Sequence, residues 1–320
     1  MSRFKLLIIY ITLLFFIPTT THAKTIGVIV PLQHNAMNEI VAGIHEILDP
    51  ILSSEDKIIV KNANGDPNLQ RQIIQQMLDN GVDYFMPIST STALMTISIV
   101  KTKPIIAVAA EFDHASLKKS NQNRISIIND HVQVNNLLQI IKNYTPEIKK
   151  VGFIYSNSEK TFPEIESAKE FCKKNNLEIA LRKVDNIAEI YQSSQSIISE
   201  VDAVILLKDS MVVSGITGIA KLAKKYRKPL ITMDNGSVMG GAHFAVGVPE
   251  EYIGIISAKA LIAAINGNNK EAFRVITMED FSIFYNTSSI KDQDVVSVQD
   301  LQKIADELSY TLVPIKHNKR

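Results

Sequence analysis

Thr25–Val30 (TIGVIV) is a short β-branched run, and residues 151–154 (VGFI) repeat its pattern at an offset of 125 residues. Two further matches follow in the same order, residues 82–85 (VDYF) with 201–204 (VDAV), and 103–106 (KPII) with 228–231 (KPLI). Because three matches recur in one order, the sequence predicts two copies of one α/β unit.

Strand and helix patterns alternate within the first copy. The predicted strands are 25–30, 57–61, 82–88 and 104–109, and the predicted helices are 38–48, 68–80 and 92–100. The second helix has clear end signals, with Asp66 as a cap, Pro67 in the first turn and Gly81 after the last turn. Strands that alternate with helices indicate a parallel sheet with right-handed crossovers.

An export signal precedes these units. Arg3 and Lys5 are followed by a largely apolar run of 12 residues at positions 6–17, and residues 21–23 (THA) form a cleavage site. We expect a signal peptide over residues 1–23, because a transmembrane anchor, the alternative, needs about 20 apolar residues. No cysteine lies directly after the apolar run, where it could accept a lipid. The exported chain is therefore expected to be periplasmic, with no stable membrane insertion after cleavage.

Composition excludes several function classes. Signal removal takes away two basic residues and changes the formal net charge from +1 to −1, so we expect no nucleic-acid partner. Cys172, the only cysteine, is expected to be an inert buried thiol, with a reactive thiol as the alternative. The sequence contains no P-loop, no Gly-x-Ser-x-Gly elbow and no metal-ligand spacing of histidines. We therefore expect neither an enzyme nor a metal or cofactor site.

A family resemblance adds to this reading. Residues 62–67 (NANGDP), followed by a Gln-rich helix and by 81–83 (GVD), resemble the ABC-transporter substrate-binding family typified by tryptophan and tyrosine binders, the TrpX-like group. The similarity runs from about Thr25 to Ile304 and includes 150–157 (KVGFIYSN) and 229–238 (PLITMDNGSV). It implies the type I periplasmic binding fold, which has two doubly wound parallel-sheet α/β lobes and a ligand cleft between them.

The resemblance also implies three crossings between the lobes, near residues 123–128, 244–248 and 278–282. Lobe one would then comprise residues 24–122 and 245–281. Lobe two would comprise residues 123–244 and 282–320. We expect the mature chain to be a monomer.

Candidate ligand contacts in lobe one follow the predicted strands, because open parallel sheets bind ligands beyond their carboxyl ends. These candidates are Gln33, His34, Asn35, Ser89, Thr90, Ser91, Glu111 and Phe112. Hydroxyls and free N–H groups at a helix start suit a carboxylate. The resemblance implicates a Gly-Thr-Pro-like segment in ligand contact, and Thr90 matches its threonine while Ser89 and Ser91 replace the other two residues. Simple helix capping is the alternative.

Candidate contacts in lobe two are Tyr155, Asn157, Asp209 and Asp234. The resemblance places a ligand-facing acid at Asp234, where it would pair with an ammonium group, and helix capping is again the alternative. Asn157 and Asp209 would bind an amino acid backbone or serve only as turn and cap residues. Phe112 and Tyr155 would sandwich an aromatic ring or pack in the core.

The predicted function is that of a periplasmic solute-binding protein of an ABC importer. It would capture a small carboxylated solute by lobe closure, and an amino acid, in particular an aromatic one, is favoured. The implied partners are the membrane permease and its ATPase. Lys208 stands where family members often carry a small hydroxyl residue, so a cation in the cleft would alter specificity. A sensory subunit that delivers ligand to a membrane receptor, or a periplasmic enzyme on the same scaffold, are the alternatives.

Overall fold

The structure, a computed structural model, describes residues 23–158, 160–290 and 296–316. The predicted signal peptide, apart from Ala23, lies outside the described residues. Within the described ranges, no helix has both the length and the apolar character needed to cross a membrane.

Strands and helices alternate along the whole chain. The first part forms β1 (Thr25–Val30), α1 (Asn35–Leu48), β2 (Lys57–Asn62), α2 (Pro67–Asp79), β3 (Tyr84–Pro87), α3 (Thr90–Ile99), β4 (Ile105–Ala107), α4 (Lys119–Gln122) and β5 (Ile125–Asn129). The middle part forms α5 (Val134–Tyr144), β6 (Lys150–Ser156), α6 (Thr161–Lys174), β7 (Glu178–Val184), α7 (Ile190–Ile198), β8 (Ala203–Ile205), α8 (Ser210–Val213) and α9 (Ile216–Tyr226). The last part forms β9 (Leu230–Thr232), α10 (Asn235–Met239), β10 (Phe244–Gly247), α11 (Glu250–Ile265), α12 (Asn269–Ala272), β11 (Val275–Thr277), β12 (Ser282–Asn286), α13 (Val298–Leu308) and β13 (Thr311–Ile315).

Two sheets divide the molecule into two lobes. The sheet of lobe one has the order β11-β5-β4-β3-β1-β2, and the sheet of lobe two has the order β13-β12-β10-β9-β8-β6-β7. Neighbouring strands are parallel, except that β10 and β12 are antiparallel. The order β2-β1-β3-β4-β5 in lobe one matches β7-β6-β8-β9-β10 in lobe two. The doubly wound duplication predicted from the sequence is therefore confirmed.

The repeated glycines have the same packing role in both lobes. A Cβ on Gly27 in β1 would lie 2.8 Å from the sulfur of Met77 in α2. A Cβ on Gly152 in β6 would lie 3.0 Å from Cδ1 of Ile197 in α7. Each glycine thus lets the helix after the neighbouring strand pack closely on the centre of its sheet.

The predicted cap of α2 is also confirmed. Asp66 accepts hydrogen bonds from the backbone N–H groups of Asn68 at 2.7 Å and Leu69 at 3.3 Å, and Pro67 occupies the first turn. Gly81 has a φ of 76°, a left-handed conformation that glycine adopts without steric penalty. The sequence signals therefore act locally, as expected.

Two of the three crossings between the lobes lie a few residues away from their expected positions. The strand β5 pairs with β4 and β11 in the first sheet, so lobe one continues through Asn129 instead of ending at residue 122. The strand β10 pairs with β9 and β12 in the second sheet, so lobe one resumes at Val248, which packs in the core of that lobe. The predictions placed these boundaries inside strands because apolar crossing segments resemble core strands in sequence.

Candidate functional site: a cleft between the lobes

A cleft of about 540 Å³ lies between the lobes, at the carboxyl ends of the strands. Its walls follow β1 and β3 in lobe one and β6 and β8 in lobe two. In each sheet the direction of winding reverses between these two strands, which is the position where open α/β sheets bind ligands. The volume falls within the range of about 300–1,000 Å³ that small-molecule sites occupy.

Part of the predicted contact set lines this cleft. The predicted residues found there are His34, Ser89, Thr90, Ser91, Asn157, Asp209 and Asp234. They come from both lobes, so closure brings them together around one volume.

Three other predicted polar residues lie elsewhere. Gln33 is exposed and bonds to Asn38 and Asn62 on the outer side of lobe one. The amide nitrogen of Asn35 donates to the carbonyl oxygen of Gly236 at 3.4 Å, which joins the two lobes. The side chain of Glu111 pairs with His131 at 2.9 Å.

The predicted aromatic sandwich is absent from the cleft. Tyr155 packs against the same hydrophobic cluster as Val151 and Phe153, on one face of β6. Phe112 packs against the core of lobe one beside α3. Among the described residues that line the cleft, none is Phe, Tyr or Trp. The alternative of core packing therefore holds for both residues.

The start of α3 presents hydroxyl and N–H groups to the cleft. Ser89 is its N-cap and has a φ of 84°, a left-handed conformation that favours glycine. The Oγ1 atom of Thr90 accepts a hydrogen bond from the backbone N–H of Glu111 at 3.0 Å, so its own hydroxyl hydrogen remains a donor. The first N–H groups of a helix have no intrahelical acceptor. This turn therefore suits an anionic group.

Two predicted acids cap helices in the structure. Asp209 accepts from the N–H and hydroxyl of Ser156 and from two backbone N–H groups at the start of α8. Burial raises the pKa of its carboxyl, against these hydrogen bonds. Among the described residues, Asp234 accepts only from the N–H and hydroxyl of Ser237, at 2.6 and 2.7 Å. Since each carboxylate oxygen has two acceptor sites, Asp234 retains more capacity for a ligand than Asp209 does.

His34 caps α1 and is 5% exposed. Its Nδ1 accepts from the backbone N–H of Ala36 at 3.2 Å, which assigns the ring proton to Nε2. Burial lowers the pKa of the ring, with Asp234 opposing this effect and Lys208 reinforcing it. Nε2 is buried without a hydrogen-bond partner in the described structure. Nε2 therefore remains available as a hydrogen-bond donor at the cleft.

A buried group of charges forms the floor of the cleft, and sequence reasoning did not find it as a group. Lys208 from lobe two pairs with Asp130 and, at 2.8 Å, with Glu250, both from lobe one. Lys160 also approaches Asp130, at 3.4 Å. The position of Lys208 after a strand was visible in the sequence. Asp130 and Glu250 follow crossing segments, where no local pattern marks a cleft residue.

These contacts set the ionisation of the two acids in opposite directions. Burial opposes the charge on Asp130, but the ammonium groups of Lys160 and Lys208 hold the pKa of its carboxyl below the usual range. Burial raises the pKa of Glu250 to about 7, with Asp130 and Asp234 adding to this effect and Lys208 opposing it. The floor therefore pairs one acid that its neighbouring cations hold ionised with a second acid whose pKa burial raises.

The remaining wall is apolar and rich in methionine. The residues that form it include Leu32, Met37, Leu94, Met95, Ile187, Met211 and Val213. Methionine adapts to irregular shapes and packs well against aromatic rings. Within the described ranges, no group of three metal-binding side chains occurs. The cleft therefore offers both polar and apolar contacts to a small molecule.

The lobes touch on both sides of the cleft. A Cβ on Gly65, after β2, would lie 2.9 Å from Cδ1 of Ile187, after β7. A Cβ on Gly236 in α10 would lie 2.3 Å from the backbone nitrogen of Ala36 in α1. The structure therefore shows the lobes in a closed arrangement.

Comparisons with known proteins agree with this architecture. The chain is 32% identical over 296 residues to a protein of Rickettsia prowazekii (strain Madrid E), covering 92% of this chain and 91% of that one. It is 27% identical over 296 residues to the tyrosine-binding protein of Clostridioides difficile (strain R20291), covering 90% and 84% of the two chains. A solved ABC domain in complex with L-Trp, from Streptococcus pneumonia, matches with a TM-score of 0.78 at 22% identity, covering 90% and 99%.

The family model described as ABC transporter substrate binding protein matches residues 25–309, which is nearly all of the described chain. That family consists of binding proteins and not enzymes. Together with the type I periplasmic binding fold and the cleft, the match means that this chain belongs to the ABC transporter substrate-binding protein family.

Proposed function

We propose that this protein captures an amino acid with a large apolar side chain, an aromatic one being favoured, and presents it to the permease and ATPase of an ABC importer. The observation that carries the proposal is the cleft of about 540 Å³, which is lined by both hydrogen-bonding groups and methionine side chains. The predicted signal peptide would deliver the chain to the periplasm.

The polar residues of the cleft suit the backbone of an amino acid. Its carboxylate would lie at the start of α3, where the hydroxyl of Thr90 and the free N–H groups of the first turn donate. Its ammonium group would lie beside Asp234, which is 2% exposed and lines the cleft. A charge-assisted hydrogen bond gains strength when closure excludes water.

The apolar residues of the cleft determine which amino acid side chain fits. Without a Phe or Tyr side chain among the described cleft residues, stacking on a protein ring is replaced by contact with Met37, Met95 and Met211. Sulfur–aromatic contacts contribute about 0.3–1.5 kcal/mol each. An aromatic side chain is thus favoured over an aliphatic one of similar size. Relatives named for tyrosine binding or solved with L-Trp support this choice.

A thermal-shift screen of the exported chain, residues 24–320, tests the ligand class. The panel contains L-tryptophan, L-tyrosine, L-phenylalanine, L-leucine and L-glutamate, together with tryptamine and indole-3-propionate. A ligand at 100 times its Kd stabilises the folded state by about 2.7 kcal/mol, which shifts the Tm by roughly 5 °C in a chain of this size. We expect the aromatic amino acids to give shifts of this size. Tryptamine and indole-3-propionate should give much less, because each lacks one of the two charged groups.

Thr90→Val removes the proposed hydroxyl donor while it preserves shape, and Ser98→Ala removes an exposed hydroxyl of the same helix. We expect a weaker shift for the first variant and an unchanged shift for the second. A shift with another class of solute and with none of the amino acids would show that the ligand class is wrong. Capture of the permease from solubilised membranes by the loaded chain tests the importer role, and capture of a receptor without a permease would contradict it.

A further inference from the structure

Lys208 connects the two lobes through buried ion pairs. It follows β8 in lobe two, and its side chain is 11% exposed. Its ammonium group contacts Asp130, which is 0% exposed, and Glu250, which is 1% exposed. The contact with Glu250 is also a hydrogen bond of 2.8 Å. Two carboxylates of one lobe thus enclose one cation of the other.

Both acids belong to the lobe-one side of the crossings between the lobes. Asp130 directly follows β5, which pairs with β4 and β11. Glu250 is the first residue of α11, which packs closely on α1, because a Cβ on Gly254 would lie 2.1 Å from the carbonyl oxygen of Ile40. Because Lys208 belongs to lobe two, rotation of the lobes acts directly on its contacts with these acids.

The charges make this contact strong but conditional. An unpaired charge that is buried is costly, whereas a paired one is tolerated when its hydrogen bonds are made. Separation of the lobes would admit water to these groups and weaken the pairing. We therefore expect the ion pairs to favour the close approach of the lobes seen here.

We propose that Lys208, Asp130 and Glu250 form a clasp that stabilises the closed arrangement of the lobes. Lys208 would then strengthen solute binding through contacts between the lobes and not through contact with the solute. This proposal rests on the proposed function, since it concerns the regulation of the same cleft. Lys208 is a positioning residue in this scheme. The ion pair between Lys160 and Asp130 supports the clasp from a second element of lobe two.

The clasp makes a prediction that direct ligand contact does not make. A contact between Lys208 and a solute carboxylate would favour solutes that bear one. A clasp raises the affinity of every solute by the same factor, because it shifts the equilibrium between open and closed states before the solute is considered. An equal loss of affinity for every solute therefore indicates a clasp, whereas a loss confined to carboxylate-bearing solutes indicates direct contact between Lys208 and the solute.

The first experiment measures Kd by calorimetry for L-tryptophan, L-tyrosine, tryptamine and indole-3-propionate. It compares the exported chain with Lys208→Met, which keeps side-chain length without the charge. Lys221→Met, at an exposed position of α9, is the matched control. We expect Lys208→Met to weaken every detectable interaction by one common factor of about tenfold to a hundredfold. The control should retain wild-type values.

The second experiment needs no ligand. Spin labels on Asn68→Cys and Ala188→Cys, two exposed positions on opposite sides of the cleft mouth, report lobe separation as a distance distribution. Cys172 is buried and its thiol pKa is raised to about 11, so the labels go to the introduced cysteines. We expect Lys208→Met to shift the distribution toward longer distances relative to the wild type and to Lys221→Met.

A companion variant guards against a failure to fold. The single variant Lys208→Met leaves two buried acids without the Lys208 cation, and the double variant Lys208→Met with Glu250→Gln removes the charge of one of them. Circular dichroism checks that each variant folds. A longer distance in both variants supports the clasp. A loss of affinity confined to carboxylate-bearing solutes, or an unchanged distance distribution in folded variants, overturns it. If the wild type binds no amino acid, the proposed function fails, while the spin-label distances still decide the clasp.

Discussion

Gly236→Ala is a small change that should block closure of the cleft. Gly236 lies in α10 of lobe two, and its missing Cβ would lie 2.3 Å from the backbone nitrogen and 2.8 Å from the Cα of Ala36 in lobe one. Both atoms belong to backbone near the start of α1, so no side-chain rotation relieves the clash. The lobes must therefore move apart locally.

The size of the effect follows from these distances. Ordinary contacts between non-bonded heavy atoms are about 3.5–4.0 Å, so the added methyl group requires roughly 1 Å of separation at this point. Overpacking by one methyl group in a tight site costs about 1–3 kcal/mol. Because the lobes can open, this cost falls on closure, and affinity for L-tryptophan should fall roughly 5- to 150-fold.

Calorimetric titration of the exported chain with L-tryptophan measures this loss, and urea unfolding without ligand measures stability. We expect a large change in Kd and a change of less than about 1 kcal/mol in the free energy of unfolding, since each lobe keeps its own core. Gly218→Ala is the matched control, because its Cβ would meet its nearest neighbour, Cδ2 of Tyr191, at 3.6 Å. Wild-type affinity in Gly236→Ala would refute the reasoning, as would an equal loss of affinity in the control.

Two further predictions concern stability. Ser89→Gly should raise the free energy of unfolding by about 1 kcal/mol in urea titrations. The backbone strain at a φ of 84° is relieved, and this gain outweighs the loss of a few tenths of a kcal/mol from the helix cap. A less stable variant would show that the hydroxyl contacts of Ser89 dominate. His131 pairs with Glu111 and Glu164, whose hydrogen bonds raise the pKa of its ring to about 9 against the opposing effect of burial. Because this pKa lies above the unfolded value of 6.5, the stabilisation is fully present below pH 6.5 and is lost as the pH rises through about 9. After allowance for solvent screening, the free energy of unfolding of His131→Gln should therefore be about 1–2 kcal/mol lower than that of the wild type at pH 6 and equal to it at pH 10. An equal deficit at both pH values would contradict the ion-pair explanation.

Some of the cleft was predictable because strand ends are local features. The alternation of strands and helices placed Thr90, Asn157 and Asp234 after carboxyl ends of strands, and all three line the cleft. Tyr155 also occupies a strand end but points into the core. Tyr155 lies two and four residues after Phe153 and Val151, so all three side chains share one face of β6. This spacing was the signal that could have excluded Tyr155 from the predicted ligand contacts.

The sequence by itself determined the two copies of the α/β unit, the ends of α2 and the strand ends that form the cleft, because hydrophobic period and capping act over a few residues. Only the tertiary structure decided where the lobes meet. The contact of Gly236 with Ala36 and the enclosure of Lys208 by Asp130 and Glu250 join residues far apart in the chain. Such contacts depend on the rotation of one folded lobe against the other, and no local pattern encodes that rotation. The opposed lobes, more than any single motif, create the site.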